Sequence, residues 1–160
     1  MRILLIGGGK SGKSTMAQRL AAALSGDAPR YYWATMTPHD DEDLARIRRH
    51  VADRAGMDFI TVERSFDLPA ALPALDRHGT VLFDSVTACL SEQMFPYGGE
   101  MDEKAGERVL AELRHVSLYP AHFIAVCDDI WRGGEEYRDG TEVYVRGLAH
   151  ICRGLAAEFD

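Results

Sequence analysis

Three groups of side chains in this sequence are suited to phosphate chemistry. The first is a loop, Gly7-Gly8-Gly9-Lys10-Ser11-Gly12-Lys13-Ser14-Thr15, of the form G-x-x-x-x-G-K-S. Its glycines let the backbone turn successive N–H groups inward on a phosphate chain. Lys13 brings a mobile cation to the β- and γ-phosphates, and the Ser14 hydroxyl is a ligand for Mg²⁺. Such a loop can arise by chance in a glycine-rich turn. Here, though, the apolar run Arg2-Ile3-Leu4-Leu5-Ile6 precedes it and a helical pattern from Met16 to Leu24 follows it. Strand, loop and helix in that order make a phosphate-binding P-loop, and the helix N-terminus adds a favourable field.

The second group centres on His50, which has Arg46 and Arg54 four residues to either side and Arg49 next to it. Those cations are expected to favour a neutral imidazole. A neutral imidazole can attack phosphorus, while the arginines bind phosphate oxygens and offset charge as pyrophosphate leaves. The alternative is a solvated histidine on a charged helix face. The third group is the carboxylates that end strand-like runs. Asp84 closes Thr80-Val81-Leu82-Phe83 and can hold Mg²⁺ directly or through a water, or else cap the helix that follows. Glu63, Asp128 and Asp129 close other runs and are candidate bases for a hydroxyl proton. His39, His78, His115, His122 and His150 lack a ligand-like grouping, so no protein-bound transition metal is expected.

The elements that must position these groups follow from periodicity. After the first helix, Gly26-Asp27-Ala28-Pro29 breaks the pattern and Tyr31 to Thr35 reads as a strand. A helix is predicted next, with Thr37 as N-cap, Pro38 at its first position and Asp40, Asp41 and Glu42 in its first turn. In it Leu44, Ile47 and Val51 recur at helical spacing and are expected to face the core. Strands are predicted over Phe59 to Val62, Thr80 to Phe83 and His122 to Cys127, with a weak helix at Leu68 to Leu75. Further helices are predicted over Ser85 to Phe95, Asp102 to Val116 and Thr141 to Glu158, the last after a glycine-rich loop. This alternation implies an α/β fold, a mainly parallel P-loop NTPase sheet with helices on both faces. In such a sheet the ligand site lies beyond the carboxyl ends of the strands, where the P-loop, Thr35, Glu63, Asp84 and Asp128 all fall.

The 160 residues suit one domain, large enough to bury a core. A formal net charge of −7 argues against a nucleic-acid partner, whose binding is driven by clustered Lys and Arg. No apolar run is long enough to span a membrane and no signal-peptide pattern opens the chain, so a cytoplasmic protein is expected. Cys89, Cys127 and Cys152 are odd in number and far apart in sequence, and read as buried thiols.

Taken together, the P-loop from Gly7 to Ser14, Ala34-Thr35, Asp40-Asp41-Glu42, Arg46-Ile47-x-x-His50-x-x-x-Arg54, Thr61-Val62-Glu63 and Asp84-Ser85-Val86-Thr87 resemble adenosylcobinamide kinase/adenosylcobinamide-phosphate guanylyltransferase. The resemblance covers about the first 95 residues, and the histidine helix is its most specific part. It implies two reactions of cobalamin biosynthesis. ATP or GTP phosphorylates the aminopropanol hydroxyl of adenosylcobinamide; GTP then guanylylates a histidine, releasing pyrophosphate, and the GMP passes to the phosphorylated corrinoid. By position the resemblance implies that His50 is the nucleophile and that Gly7 to Ser14 cradle phosphate. It also implies that Ala34, Thr35, Met36, Val51, Ala52, Asp53, Arg54, Glu63 and Asp84 line the nucleotide site. It further implies a homo-oligomer, since the family is known as a trimer.

The second half departs from the family's pattern. Asp128-Asp129 stands where members usually carry Asn-Glu, Ile130-Trp131-Arg132-Gly133-Gly134 replaces a loop with glycine and proline, and Cys152-Arg153-Gly154 lies where an Asn-Gln pair is usual. The sequence ends at Asp160, where members continue into an apolar strand, so a diverged, shortened member is expected. Two other readings stay open: a monofunctional small-molecule kinase in which His50 is a bystander, and a non-catalytic nucleotide-binding regulator. No N-K-x-D guanine signature decides between ATP and GTP.

Overall fold

The apolar runs need partners on both sides, and parallel pairing supplies them. The computed structural model describes residues 1–130 and 141–160, with Arg46 through its backbone alone. Five strands, β1 (Arg2–Gly7), β2 (Arg30–Ala34), β3 (Phe59–Glu63), β4 (Thr80–Asp84) and β5 (His122–Asp128), form one sheet. All pairings are parallel, in the order β1-β5-β4-β2-β3. The α/β P-loop architecture read from the sequence is the one observed. β5, the last strand in sequence, lies between β1 and β4, a placement that periodicity does not encode.

Helices cover both faces. α1 (Lys13–Ser25) presses Ala17 and Ala21 onto Tyr32, Leu82, Ile124 and Val126. The opposite face, with Trp33, Val81, Phe83, Phe123 and Ala125, is covered by a 3₁₀ helix (Leu68–Ala74), α3 (Val86–Met94), α4 (Ala105–Val116) and α5 (Thr141–Ala156). Side chains alternate along each strand, so Tyr31 and Trp33 enter one core while Tyr32 enters the other. At the crossing of α4 and α5 a Cβ on Gly106 would stand 3.1 Å from Gly147 Cα, so the absence of a side chain sets how closely those helices meet.

Several element boundaries differ from expectation for identifiable reasons. α2 (Asp41–Asp53) starts later than Pro38, because Asp40 caps it by accepting from Asp43 N–H at 2.8 Å. Thr37 N–H instead donates to Glu92 on α3 at 3.1 Å, which ties that backbone outside the helical path. The acids of the first turn are thus Asp41, Glu42 and Asp43. α4 starts at Ala105 rather than Asp102, whose carboxylate accepts from the Lys104 backbone and from Arg108. The weak helix is of the tighter 3₁₀ kind, with Pro73 inside it. The glycine-rich loop after β5, including Trp131 to Gly134, lies outside the described residues.

All three cysteines are buried thiols, as expected. The fold nevertheless brings Cys127 on β5 and Cys152 on α5 together, with their sulfurs 3.3 Å apart. That contact, followed by burial, pushes the Cys127 thiol above its ordinary range.

Phe83 is fully buried and touches Trp33 and Phe123 at ring-centroid distances of 5.5 and 5.9 Å. Truncation there leaves a cavity at the centre of the sheet. Phe83→Ala is expected to lower unfolding free energy by about 3–5 kcal/mol, read as a lower urea midpoint.

Candidate functional site

Parallel pairing brings the ends of the strands to one edge, and registration decides which residues are neighbours there. Gly7 lies opposite Asp128, Ala34 opposite both Glu63 and Asp84, and Asp84 opposite Val126. The carboxylate adjoining the P-loop strand is therefore Asp128, while Asp84 lies two strands away.

The P-loop leaves β1 and turns into α1 with Lys10 and Gly12 both at positive φ, 58° and 84°. Gly12 carries its value without a Cβ penalty, whereas Lys10 holds a conformation uncommon for its type. The Gly12 carbonyl accepts the first helical bond, from Met16 N–H at 3.0 Å. The N-terminus of α1 has no side-chain cap and no acid in its first turn, unlike the acid-rich start of α2. Its N–H groups and positive end of the dipole are left for an anion. Lys13 Nζ donates to Gly8 O at 2.7 Å and pairs with Asp128 at 2.9 Å. Ser14 is half-buried at the start of the helix, and Thr15 is exposed.

A second assembly lies across the same edge. A cavity of about 850 Å³ opens between α2 and the ends of β2, β3 and β4. His50, Arg54, Glu63 and Asp84 line it, as do Ala34, Thr35, Met36 and Val51. Ala52, Asp53 and Arg49 are exposed and lie outside that lining, as do the P-loop residues. The side chain of Arg46 is outside the described residues.

The expected core role of Leu44, Ile47 and Val51 is corrected: they form an apolar wall of this cavity, with Leu44 and Val51 40% and 49% exposed. An amphipathic stripe records an apolar neighbour, whether core or cavity. α2 makes no extended contact with any other described element.

His50 is not surrounded by cations alone, since its Nδ1 lies 3.9 Å from Asp84 Oδ2. That same oxygen accepts a hydrogen bond from the Tyr32 hydroxyl at 2.8 Å. The Arg54 guanidinium stacks on the Tyr32 ring at 3.9 Å and reaches Thr61 Oγ1 at 3.4 Å. Asp84 does not cap the next helix; Ser85 does, accepting from Ala88 N–H at 3.1 Å. Thr35 locks this corner, donating to Ser85 O and accepting from Ser85 N–H, both at 2.8 Å.

Tyr32 and the Lys13–Asp128 pair were not legible as site features. Tyr32 reads as one aromatic among three, and only the pairing of β2 with β4 brings it toward Asp84. Among the described residues no group of three or more His, Cys, Asp or Glu could hold a metal unaided. The hydroxyl of Ser14 and the carboxylate of Asp84 are nonetheless hard oxygen donors of the kind Mg²⁺ takes alongside phosphates and water.

The sequence model of one protein family, described as cobinamide kinase / cobinamide phosphate guanyltransferase, matches residues 3–160. The chain belongs to that family, a family of transferases of cobinamide metabolism. The match continues through the second half, past the substitutions at Asp128-Asp129 and around Cys152. No curated protein matches the chain. None of the described helices is long and apolar enough to cross a membrane.

Thr35 is 1% exposed, and its hydroxyl satisfies two backbone groups of Ser85. Thr35→Val keeps the shape but strands both. It is expected to destabilise the fold by about 1–3 kcal/mol, seen as a lower urea midpoint at unchanged slope.

Proposed function

We propose that this member of the cobinamide kinase / cobinamide phosphate guanyltransferase family carries both reactions of its family's description, with the P-loop and His50 working on one nucleotide. A nucleoside triphosphate, ATP or GTP, first phosphorylates the hydroxyl of adenosylcobinamide. GTP then reacts at its α-phosphorus with His50: a phosphorus–nitrogen bond forms, the bond to the bridging oxygen breaks, and pyrophosphate leaves with the electron pair. The phosphorylated corrinoid takes the GMP in turn, giving adenosyl-GDP-cobinamide and freeing the imidazole.

The observation that carries this reading is the common strand edge, with the uncapped N-terminus of α1 and Lys13 at one end and His50 beside Asp84 at the other. A strand spacing of about 4.8 Å puts β4 roughly 10 Å from β1. An extended nucleoside triphosphate can bridge that gap, with its nucleoside in the α2 cavity and its phosphates on the loop. In this reading Lys13 exchanges Asp128 for phosphate oxygens and Gly8 to Lys13 supply backbone N–H groups. Arg46 and Arg49 offset charge on the phosphates, while Ala52 and Asp53 shape the back of the α2 turn. Ser14 and Asp84 would hold Mg²⁺, which when bound draws charge from the phosphates. Positioning by the chain supplies most of the rate. Asp128, Asp129 and Glu63 are the carboxylates available to take the acceptor's proton in the kinase step.

Intact-protein mass spectrometry after incubation with GTP and Mg²⁺ is expected to show an acid-labile GMP adduct. His50→Asn is expected to abolish it while leaving ATP-dependent phosphorylation of cobinamide. Phosphoryl transfer by wild-type protein that never gains GMP would leave a monofunctional kinase. Binding with neither transfer would leave a nucleotide-binding regulator.

A further inference from the structure

A nucleophilic imidazole must present one nitrogen with its lone pair outward and keep its proton on the other. Among the described residues no hydrogen bond or ion pair between the His50 ring and another α2 side chain is seen, and the helix is lightly packed. A carboxylate on another element does face the ring: Asp84 Oδ2 lies 3.9 Å from Nδ1. That carboxylate ends β4, the strand buried along its length up to Asp84 itself, so its backbone is among the better fixed of the site. Its side chain is fixed by Tyr32, whose hydroxyl donates to the oxygen that faces the histidine.

Tyr32 is in turn held on several sides. It is 5% exposed and packs with α1 in the core. Phe59 meets its ring edge-on at 6.3 Å, and the Arg54 guanidinium covers a face. A tyrosine locked this way aims its hydroxyl as a rigid donor. An acceptor oriented by such a donor, here the Asp84 carboxylate, decides which imidazole nitrogen keeps the proton.

We propose that Tyr32 is a positioning residue for the nucleotidyl-transfer step. Its hydroxyl sets the Asp84 carboxylate so that Oδ2 holds His50 with the proton on Nδ1 and Nε2 free to attack. The proposal rests on the reading of His50 as the nucleophile, and it assigns to Asp84 a task apart from metal binding, for which Oδ1 is the oxygen left. The attacking ring keeps its Nδ1 proton throughout. The positive charge it gains as Nε2 bonds to phosphorus is met by the carboxylate, and no proton transfer is needed in that step. In the proposal the 3.9 Å separation shortens to a hydrogen bond as substrate settles α2.

The test is Tyr32→Phe, which keeps the ring under Arg54 and against Phe59 and removes the hydroxyl alone. Nitrogen-15 NMR of the His50 ring, assigned by comparison with His50→Asn, is expected to show the Nδ1–H tautomer in the wild type and a shift toward Nε2–H in the variant. The rate of GMP-adduct formation at saturating GTP is expected to fall about 10- to 100-fold, with KM for GTP unchanged. An unchanged tautomer balance overturns the proposal whatever the rate does. So does an unchanged rate in a wild type that forms the adduct. Loss of affinity for GTP with kcat intact would make Tyr32 a binding or structural residue instead. Should wild-type protein never acquire GMP, the function proposed above fails, and the NMR comparison alone still decides whether Tyr32 sets the ring.

Discussion

The site depends on one constraint: every strand of the sheet runs the same way. Parallel pairing cannot be made by a tight hairpin, so each return passes through a helical or irregular crossover, and all but the one through α2 cover a sheet face. β4 and β5 are therefore buried on both sides and read as continuous apolar runs. The same rule sends every strand's carboxyl end to one edge, where the core stops and polar residues can begin. Gly7, Ala34, Glu63, Asp84 and Asp128 are the last residues of their strands. Hydrophobic burial thus fixes the scaffold and chain direction gathers the chemistry.

Two kinds of positioning coexist at that edge. The phosphate loop is set by backbone: left-handed residues, a bare helix terminus and a lysine folded onto the loop's own carbonyl. The histidine faces a chain of side chains that crosses three elements, from Arg54 through Tyr32 to Asp84. α2, which bears His50, is anchored at its ends rather than along its length. Glu92 and the Asp40 cap hold its approach, and Arg54 seats its far end on β2. Between them its apolar stripe faces a cavity, which leaves room for a ligand to become the missing packing partner.

What the sequence made legible follows from the range of the forces involved. Strand and helix identity rest on local periodicity, and the loop motif carries its meaning within nine residues, so both could be read directly. The start of α2 is not encoded locally: Thr37 and Pro38 are good local starters, while the competing bond comes from Glu92, 55 residues away. The neighbours Lys13 and Asp128, and Tyr32 and Asp84, follow from strand order, in which β5 inserts between β1 and β4. Nor could an apolar stripe on α2 say whether it met a core or an opening.

The pairing of Lys13 with Asp128 bears on selectivity in the function proposed above. Its ammonium already holds a carboxylate tethered to the neighbouring strand, a permanent intramolecular rival for any anion entering the loop. Chloride or a lone carboxylate brings no more charge than the rival it must evict. A polyphosphate tail brings several negative charges at once and engages the bare helix terminus as well, so it can win that exchange. In the function proposed above, the loop would thereby carry its own threshold against small anions, set by one aspartate.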